Sequence, residues 1–142
     1  MEKINVAGAG EKAVEYFNAS WNCAESVYMA IHDQFGEGEA PIQLITCLGG
    51  GMGCKKTCGA LTGAIVGLGL VFGRKSPDKA AKETAYAKAK ALCDAFRESC
   101  HSTECWELTQ CETDAEKKKQ LCLPLVRKAA ELATALMAGQ DV

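Results

Sequence analysis

Cysteine is the residue type through which this chain could do chemistry, because nine of its 142 residues are cysteines. They are Cys23, Cys47, Cys54, Cys58, Cys93, Cys100, Cys105, Cys111 and Cys122. An odd number of thiols cannot all pair within one chain, and about 6% cysteine lies below the ~8–10% typical of small disulfide-stabilised proteins. Clustered cysteines outside disulfides are most often metal ligands or redox groups. The cysteine content therefore predicts metal or redox chemistry.

The N-terminal sequence and the net charge indicate in which compartment these thiols lie and which partners are excluded. The segment MEKINVAGAGEKAVEYF has no basic stretch followed by an apolar one, so we expect no export signal. The expected location is the cytoplasm, where thiols stay reduced. The net charge is −2, from 16 basic and 18 acidic residues, and provides no basic field for a phosphate backbone. We therefore expect no nucleic-acid partner.

The spacing of the chemistry-bearing residues excludes several common sites. No C-x-x-C occurs, which argues against a thioredoxin-type motif and a zinc knuckle, and the cysteine intervals match no common iron–sulfur run. The only histidines are His32 and His101, so the chain lacks the acid–base cluster of a hydrolase or transferase. Gly50 to Thr57 resembles a phosphate-binding loop, but Lys55 stands in place of its second glycine. Nucleotide binding is therefore disfavoured.

Nearly every segment that must position these residues has the pattern of a helix. The predicted helices cover about 9–18, 23–35, 41–48, 58–72 and 76–99, a short helix ending at Leu108, and a C-terminal helix through Leu136. The expected N-terminal caps are Asn22 with Glu25, Thr57, Ser76 before Pro77, Thr103, and Thr113 with Glu116. Pro124 should begin a new helix near Leu123, because proline inside a helix removes a hydrogen bond. We expect one all-α domain over residues 1–142, a helical bundle.

The segment 58–72, CGALTGAIVGLGLVF, is apolar on all sides and predicts a central buried helix. Its uncharged run is too short to span a membrane. Gly59, Gly63 and Gly67 recur every four residues on one face, although each glycine costs about 1 kcal/mol of helix propensity relative to alanine. We expect this stripe to allow the close approach of a neighbouring helix backbone or of a cluster.

The predicted helix starts separate the nine cysteines into groups. Four lie at or near a start: Cys23, Cys58, Cys105 and Cys122. A helix N-terminus carries unpaired N–H groups and partial positive charge, so we expect lowered pKa values for these four thiols. Cys47 and Cys93 are expected to be small apolar residues of the interior. Cys54, Cys100 and Cys111 lie in or near predicted loops and stay unassigned.

Several of these motifs together resemble a known family. They are Asn22-Cys23-Ala24-Glu25, Gly49-Gly50-Gly51-Met52-Gly53, Cys58-Gly59-Ala60-Leu61-Thr62-Gly63, Cys105 and Cys122. The combination resembles the C_GCAxxG_C_C family of redox-active proteins over about residues 10–130. The resemblance implies a small redox-active protein whose four hallmark cysteines are Cys23, Cys58, Cys105 and Cys122. Where the family name gives Gly-Cys-Ala in its central motif, this chain has Cys58-Gly59-Ala60, and it contains five cysteines beyond the four hallmark ones.

Three functions remain open at this point. The first is an electron carrier with an iron–sulfur cluster on the four cysteines, approached closely by the backbone of Gly51, Gly53, Gly59 and Gly63. The second is a thiol–disulfide oxidoreductase or redox sensor with a reactive cysteine pair. The third is a structural zinc site in an interaction module. The expected partner is an unidentified redox protein, no membrane span is expected, and a homodimer is left open.

Overall fold

A computed structural model of the chain describes residues 3–142. These residues form six α-helices: α1 Val6–Asn18, α2 Cys23–Phe35, α3 Gly59–Phe72, α4 Lys79–Cys100, α5 Cys105–Leu108 and α6 Ala115–Met137. Three short helical turns, Ile42–Leu44, Thr46–Leu48 and Gly51–Lys55, connect α2 to α3. The described part of the chain contains no strand, only an isolated bridge between Thr57 and Glu104. The predicted all-α fold is confirmed.

The core lies where α2, α3 and α6 contact one another. Helix α1 covers α2 and α6 on one side, and α4 covers α3 and α6 on the other. Ile31, Leu61, Phe96 and Val126 are fully buried at these contacts, one from each of four helices. Burying a side chain of this kind contributes about 1.5–3 kcal/mol. The bundle is therefore held by apolar contacts between elements distant in sequence.

The glycine stripe of α3 lies against α2, as expected. A Cβ atom on Gly63 would lie 2.4 Å from the carbonyl oxygen of Ala24, and one on Gly67 would lie 2.8 Å from Cδ1 of Ile31. The two helix backbones thus approach more closely than any side chain at position 63 would permit. Of the two expected causes, close approach of a helix backbone is found at Gly63, whereas Gly67 makes room for the Ile31 side chain.

The C-terminal half of α3 is less buried than its sequence predicts. Val66, Leu70 and Val71 are exposed, whereas Gly59, Ala60 and Leu61 are buried. Within residues 3–142, α3 packs chiefly against α2, α4 and α6, and the three exposed side chains lie outside those contacts in solvent. Across residues 3–142, none of the helices is long and apolar enough to cross a membrane.

Several predicted caps lie one or two residues from the observed ones. The observed caps are Asp78 for α4, Glu104 for α5 and Asp114 for α6, where Ser76, Thr103 and Thr113 were expected. In α4 and α6 an aspartate carboxylate accepts the first backbone N–H groups, a role that aspartate fills at least as well as serine or threonine. Thr57 does not cap α3 but pairs with Glu104. The Asn22–Glu25 capping box is confirmed.

Two helix predictions near prolines are wrong. The segment after Pro41 forms two short 3₁₀ turns instead of one helix through Leu48. Pro124 lies inside α6 and does not begin a new helix. An interior proline costs about 3 kcal/mol, but the residues that follow it bury apolar side chains against the core, Leu125 and Val126 among them. Cys122 therefore lies within a continuous helix.

Helix α1 begins at Val6, capped by Asn5, rather than near residue 9 as predicted.

Candidate functional site

Four cysteines line one cavity of about 330 Å³. Cys23 is the first residue of α2, Cys58 directly precedes α3, Cys105 is the first residue of α5, and Cys122 lies inside α6. Each sulfur thus comes from a different element. The remaining lining residues are Phe17, Asn22, Gly50, Gly59, Ala60, Leu108, Thr109, Ala115, Lys118, Lys119 and Leu125. The cavity is therefore a largely apolar space with four thiols and two lysines on its wall.

A hydrogen-bonded cap positions Cys23. The side chain of Asn22 accepts from the Glu25 N–H at 2.9 Å, and the Glu25 carboxylate accepts from the Asn22 N–H at 2.9 Å. The second carboxylate oxygen of Glu25 accepts from the Thr46 hydroxyl at 2.7 Å. Glu25 is buried, and its hydrogen bonds link the start of α2 to the turn Thr46–Leu48. The position of Cys23 is thereby fixed relative to the glycine-rich loop that follows.

Two backbone hydrogen bonds hold Cys58 and Cys105 side by side. The Cys58 N–H donates to the Thr103 carbonyl at 2.7 Å, and the Cys105 N–H donates to the Lys56 carbonyl at 2.6 Å. The Thr109 hydroxyl donates to the Cys105 carbonyl at 2.7 Å. Four-residue helix α5 is too short to be stable alone. Its place in the fold therefore depends on this short antiparallel contact.

The glycine-rich loop makes a left-handed turn beside the cavity. Gly50, Gly51, Met52 and Gly53 have consecutive φ values of 63°, 62°, 61° and 70°. The turn is closed by the Lys56 N–H, which donates to the Gly51 carbonyl at 3.0 Å. L-residues are sterically disfavoured in this region, whereas glycine adopts it freely. The glycines here thus permit a backbone path that most sequences cannot follow.

The four glycines expected beside a cofactor differ in position. Gly59 lines the cavity, and a Cβ atom on it would lie 2.5 Å from Sγ of Cys23. A Cβ on Gly51 would lie 2.8 Å from Cβ of Cys105. Gly53 faces open space, and Gly63 packs against α2. The structure thus brings Gly59 and Gly51 to the cysteines, and the other two lie elsewhere.

Burial, not helix position, has the larger effect on the ionisation of Cys23, Cys58 and Cys122. Burial raises the pKa of Cys58 to about 12 and that of Cys122 to about 11, and also raises the pKa of Cys23. Backbone N–H groups at Gly50 and Ala24 oppose the shift at Cys23 but do not outweigh burial. The predicted lowering is therefore wrong for these three thiols. For Cys122 the helix-start argument also fails because the residue lies inside α6.

The cavity is larger than a single-ion site. Its volume of about 330 Å³ equals that of roughly ten water molecules. Across residues 3–142, no three or more histidine, cysteine, aspartate or glutamate side chains are placed so that they could hold a metal ion. A structural zinc site places its sulfurs about 2.3 Å from one ion. The thiols as arranged therefore surround a space instead of converging on one point.

The other five cysteines lie outside the cavity wall. Cys93 and Cys100 are half-buried and pack against the core. Cys54 and Cys111 are exposed and donate weakly to the backbone carbonyls of Gly51 and Trp106. Cys47 is exposed, so its predicted interior position is wrong. The reason is that the segment around Cys47 forms a short 3₁₀ turn with no buried residue.

Sequence reasoning missed two cavity residues, Lys118 and Lys119. They precede Cys122 by four and three positions, the spacing that places side chains on one helix face. That signal was present in the sequence. It was hidden by the expectation that Pro124 interrupts the helix.

Comparison with known proteins gives one match. A family model with the description "Putative redox-active protein (C_GCAxxG_C_C)" matches residues 21–136, which is most of the chain and includes all four cavity cysteines. The family resemblance seen in the sequence is confirmed. No curated protein and no solved structure matches.

Proposed function

We propose that this chain, which belongs to the C_GCAxxG_C_C family of redox-active proteins, holds an iron–sulfur cluster on Cys23, Cys58, Cys105 and Cys122 and serves as an electron carrier. One observation carries the proposal: four cysteines from four separate elements line the same cavity. Iron–sulfur clusters are held by four cysteine thiolates in their common forms. Such a cluster supplies one-electron oxidation and reduction.

The wall of the cavity suits a group of this size and charge. Gly59 leaves room beside the Cys23 sulfur that any larger residue would fill. Phe17, Leu108 and Leu125 contribute apolar surface to the cavity wall. Lys118 places a positive charge near Cys122 and lowers its pKa against the effect of burial. A thiolate site in this position would therefore meet a compensating charge beside a largely apolar wall.

The raised pKa values favour metal ligation over thiol–disulfide exchange. Exchange requires a thiolate as nucleophile, but Cys58 and Cys122, with pKa values of about 12 and 11, stay protonated near neutral pH. A bound metal deprotonates a coordinating thiol outright. Burial therefore suppresses the nucleophile while leaving the thiols able to bind metal.

A thiol–disulfide function is the second candidate, and one observation favours it. Cys23 lies close enough to Cys58 for a thiolate at Cys23 to raise the pKa of Cys58. The Cys23 sulfur also lies beside Gly59, the neighbour of Cys58. These two thiols are therefore one pair that an oxidant could join.

Anaerobic purification with iron, acid-labile sulfide and zinc analysis tests the proposal. We expect brown protein containing iron and sulfide. Cys58→Ser should lose both, whereas the matched control Cys93→Ser, outside the cavity wall, should retain them. Colourless, metal-free protein with titratable disulfides would support the second candidate, and zinc alone would support a structural site. Equal loss of iron from both variants would contradict the assignment of the ligands.

A further inference from the structure

A second depression in the protein surface lies between the far half of α3 and the first half of α4. Its volume is about 210 Å³. Within residues 3–142 it is lined by eight uncharged residues, which are Ile65, Leu68, Gly69, Phe72, Gly73, Ala85, Tyr86 and Ala89. The cysteine cavity is lined by a different set of residues. We call this second depression the α3–α4 groove.

Apolar side chains beside the α3–α4 groove reach solvent. Val66 and Leu70 are 41% and 38% exposed. Each lies three positions before a groove residue, Gly69 or Gly73, and this spacing places residues on one side of a helix. Across the groove, Tyr86 on α4 is 69% exposed. The groove therefore has an uncovered apolar border on both helices.

Two lysines lie at the aromatic residues of the groove. The Nζ atom of Lys88 lies 5.3 Å from the ring centre of Phe72, and that of Lys82 lies 5.8 Å from the ring centre of Tyr86. Both lysines are half-buried. Lysine side chains in such places pack their CH₂ stems on apolar surface while the ammonium group stays in polar surroundings. Two positive charges thus lie at the edge of an apolar surface.

The segment that contains these lysines is basic when every carboxylate is counted. Its charged residues are the basic Arg74, Lys75, Lys79, Lys82, Lys88 and Lys90 and the acidic Asp78 and Glu83. Residues 74–90 therefore carry a net charge of +4, whereas the whole chain carries −2. Residues 57–73, which precede them, are uncharged. An uncharged apolar helix is thus followed directly by a basic one.

The carboxylates of α4 lie mostly away from the groove. Glu83 and Asp94 are two and nine positions from Ala85, so helix geometry places both roughly opposite this groove residue. Lys82, three positions before Ala85, lies on the groove side. Asp78 keeps its charge while it caps α4 and offsets one lysine. The groove side of α4 therefore keeps an excess of positive charge.

Helix α2, which contains further carboxylates, lies on the opposite side of α3. Gly67 packs against Ile31 of α2, and helix geometry turns Gly67 about 160° away from Gly69 in the groove. Asp33, near the end of α2, accepts a hydrogen bond from Tyr16 of α1. The negative charge of α2 is therefore separated from the groove by α3.

We propose that the α3–α4 groove and its border bind the surface of a membrane that contains anionic lipids. Lys82 and Lys88 complement the negative headgroups. Val66, Leu70 and Tyr86 enter the boundary between headgroups and acyl chains, where aliphatic side chains and tyrosine are stable. The contact is peripheral, because side chains enter the interface without a helix that crosses it. This contact is independent of the proposed cluster, because the groove and the cavity share no residue.

Two other occupants fit the groove less well. A second copy of this chain would bring two basic borders together, and like charges oppose such a contact. Valine and leucine seldom contribute much of the binding energy at protein interfaces, whereas a lipid layer accepts both without a matching shape. The charge and the exposed residue types therefore favour a lipid surface over a protein.

Co-sedimentation of the full chain with vesicles tests this contact. The vesicles consist of phosphatidylcholine alone or of phosphatidylcholine with phosphatidylserine. We expect at least about tenfold tighter binding when phosphatidylserine is present, and weaker binding as salt rises from about 0.05 M to about 0.5 M. The double variant Lys82→Glu with Lys88→Glu should weaken binding at least about tenfold. Leu70→Ser should weaken it at least about threefold, because it removes apolar surface from the contact.

Matched controls change the same residue types elsewhere. Lys12→Glu with Lys117→Glu alters the net charge equally at exposed positions on α1 and α6, outside the groove lining. Leu44→Ser makes the apolar substitution at a leucine that is 72% exposed and also lies outside the groove lining. Both controls should bind as the parent chain does, and circular dichroism checks that each variant is folded. An equal loss in a control and its partner variant would overturn the proposal.

Other results would also overturn the lipid contact. Failure to bind either kind of vesicle, or equal binding to both, would remove the role of the anionic headgroup. A dimer in analytical ultracentrifugation that Leu70→Ser dissociates would show that a second copy covers the groove. Tighter binding to polyglutamate than to anionic vesicles would indicate an acidic protein partner instead.

Iron and sulfide analysis of the same anaerobic samples separates this contact from the proposed cluster. Iron-free protein that binds the anionic vesicles would contradict the cluster and leave the lipid contact standing. Protein that contains iron and sulfide but does not bind these vesicles would contradict the lipid contact alone.

Discussion

Individual thiols in this protein respond to burial more strongly than to the helix end beside them. Cys58 directly precedes α3 and has N–H groups of Ala60 and Leu61 near its sulfur, yet its pKa rises to about 12. The helix end contributes a partial charge, whereas burial removes the hydration of a full negative charge. Partial charges at helix starts therefore do not identify reactive cysteines unless the sulfur also remains near solvent.

This ionisation behaviour predicts how stability depends on pH. The pKa of Cys58 is about 12 in the folded chain and 9.0 in the unfolded reference, so the folded state holds the proton more tightly. The stabilisation is complete below pH 9 and is lost as pH rises toward about 12. A pKa difference of about 3 corresponds to at most about 4 kcal/mol.

Urea unfolding of metal-free protein between these pH values measures the effect. The unfolding free energy of Cys58→Ala should fall less steeply with pH than that of the parent chain. Cys47→Ala, which changes an exposed thiol, should follow the parent. Parallel pH profiles for the parent and Cys58→Ala would show that Cys58 is hydrated and ionises normally.

Single residues also show what the sequence could and could not predict. The four cavity cysteines could be chosen from their places near helix starts and from the family motif, although the pKa argument that favoured them was wrong in direction for Cys23, Cys58 and Cys122. Lys118 could have been found from its spacing to Cys122. Burial of Cys58 depends on contacts between α3, α5 and α6, which no local pattern contains.

Among the helices, α3 contains glycines with opposite roles. A Cβ on Gly63 would lie 2.4 Å from backbone oxygen of α2, which cannot move independently of its helix, whereas Gly69 has no neighbour within 4 Å. Gly63→Ala should therefore destabilise the fold by about 1–3 kcal/mol, as overpacking does. Gly69→Ala should stabilise it by about 0.5–1 kcal/mol through helix propensity.

Thermal unfolding of the two variants beside the parent chain checks this contrast. The variants share the same substitution and the same helix, so only the surroundings of the added methyl group differ. Equal shifts in Tm would mean that the α2–α3 contact tolerates a side chain at position 63.

Helix boundaries were predictable where one strong signal stood alone. The Asn22–Glu25 box marked the start of α2 correctly because both of its hydrogen bonds form. At α4 and α6 an aspartate lay within two residues of the serine or threonine expected as a cap. Where two capping residues of similar strength lie within two positions of each other, the packing of the helix body decides which of them caps the helix. Similarly, Pro124 remains inside α6, where the part of the helix that follows it is buried in the core.

Across the whole molecule, the cavity brings two weakly held segments, α5 and the loop 49–57, against the core helices α2, α3 and α6. Helix α5 and the loop 49–57 are held mainly by a few backbone bonds, whereas α2, α3 and α6 share the buried core. In metal-free protein we expect α5 and this loop to exchange amide hydrogens fastest, since regions with few buried contacts open locally. On cluster incorporation their exchange should slow at least about tenfold, because a ligand that binds only the closed form stabilises it.

Hydrogen exchange read by mass spectrometry separates this local effect from a global one. Peptides from 125–136, in the core of α6, serve as the internal control and should change little. Uniform slowing across all peptides would show that the cavity and the core open together as one unit.

Substitutions in the left-handed turn are expected to be harmful because of the backbone conformation there, not because space is lacking. Gly50 and Gly53 have nothing within 4 Å of the place where a side chain would begin, so there is ample room for one. Chirality, not volume, restricts these two positions, because every L-residue except asparagine and aspartate pays for that backbone geometry. Mutations that look harmless by surface accessibility would thus distort the path to Cys58. Solvent-facing positions in this loop should evolve as slowly as interior ones.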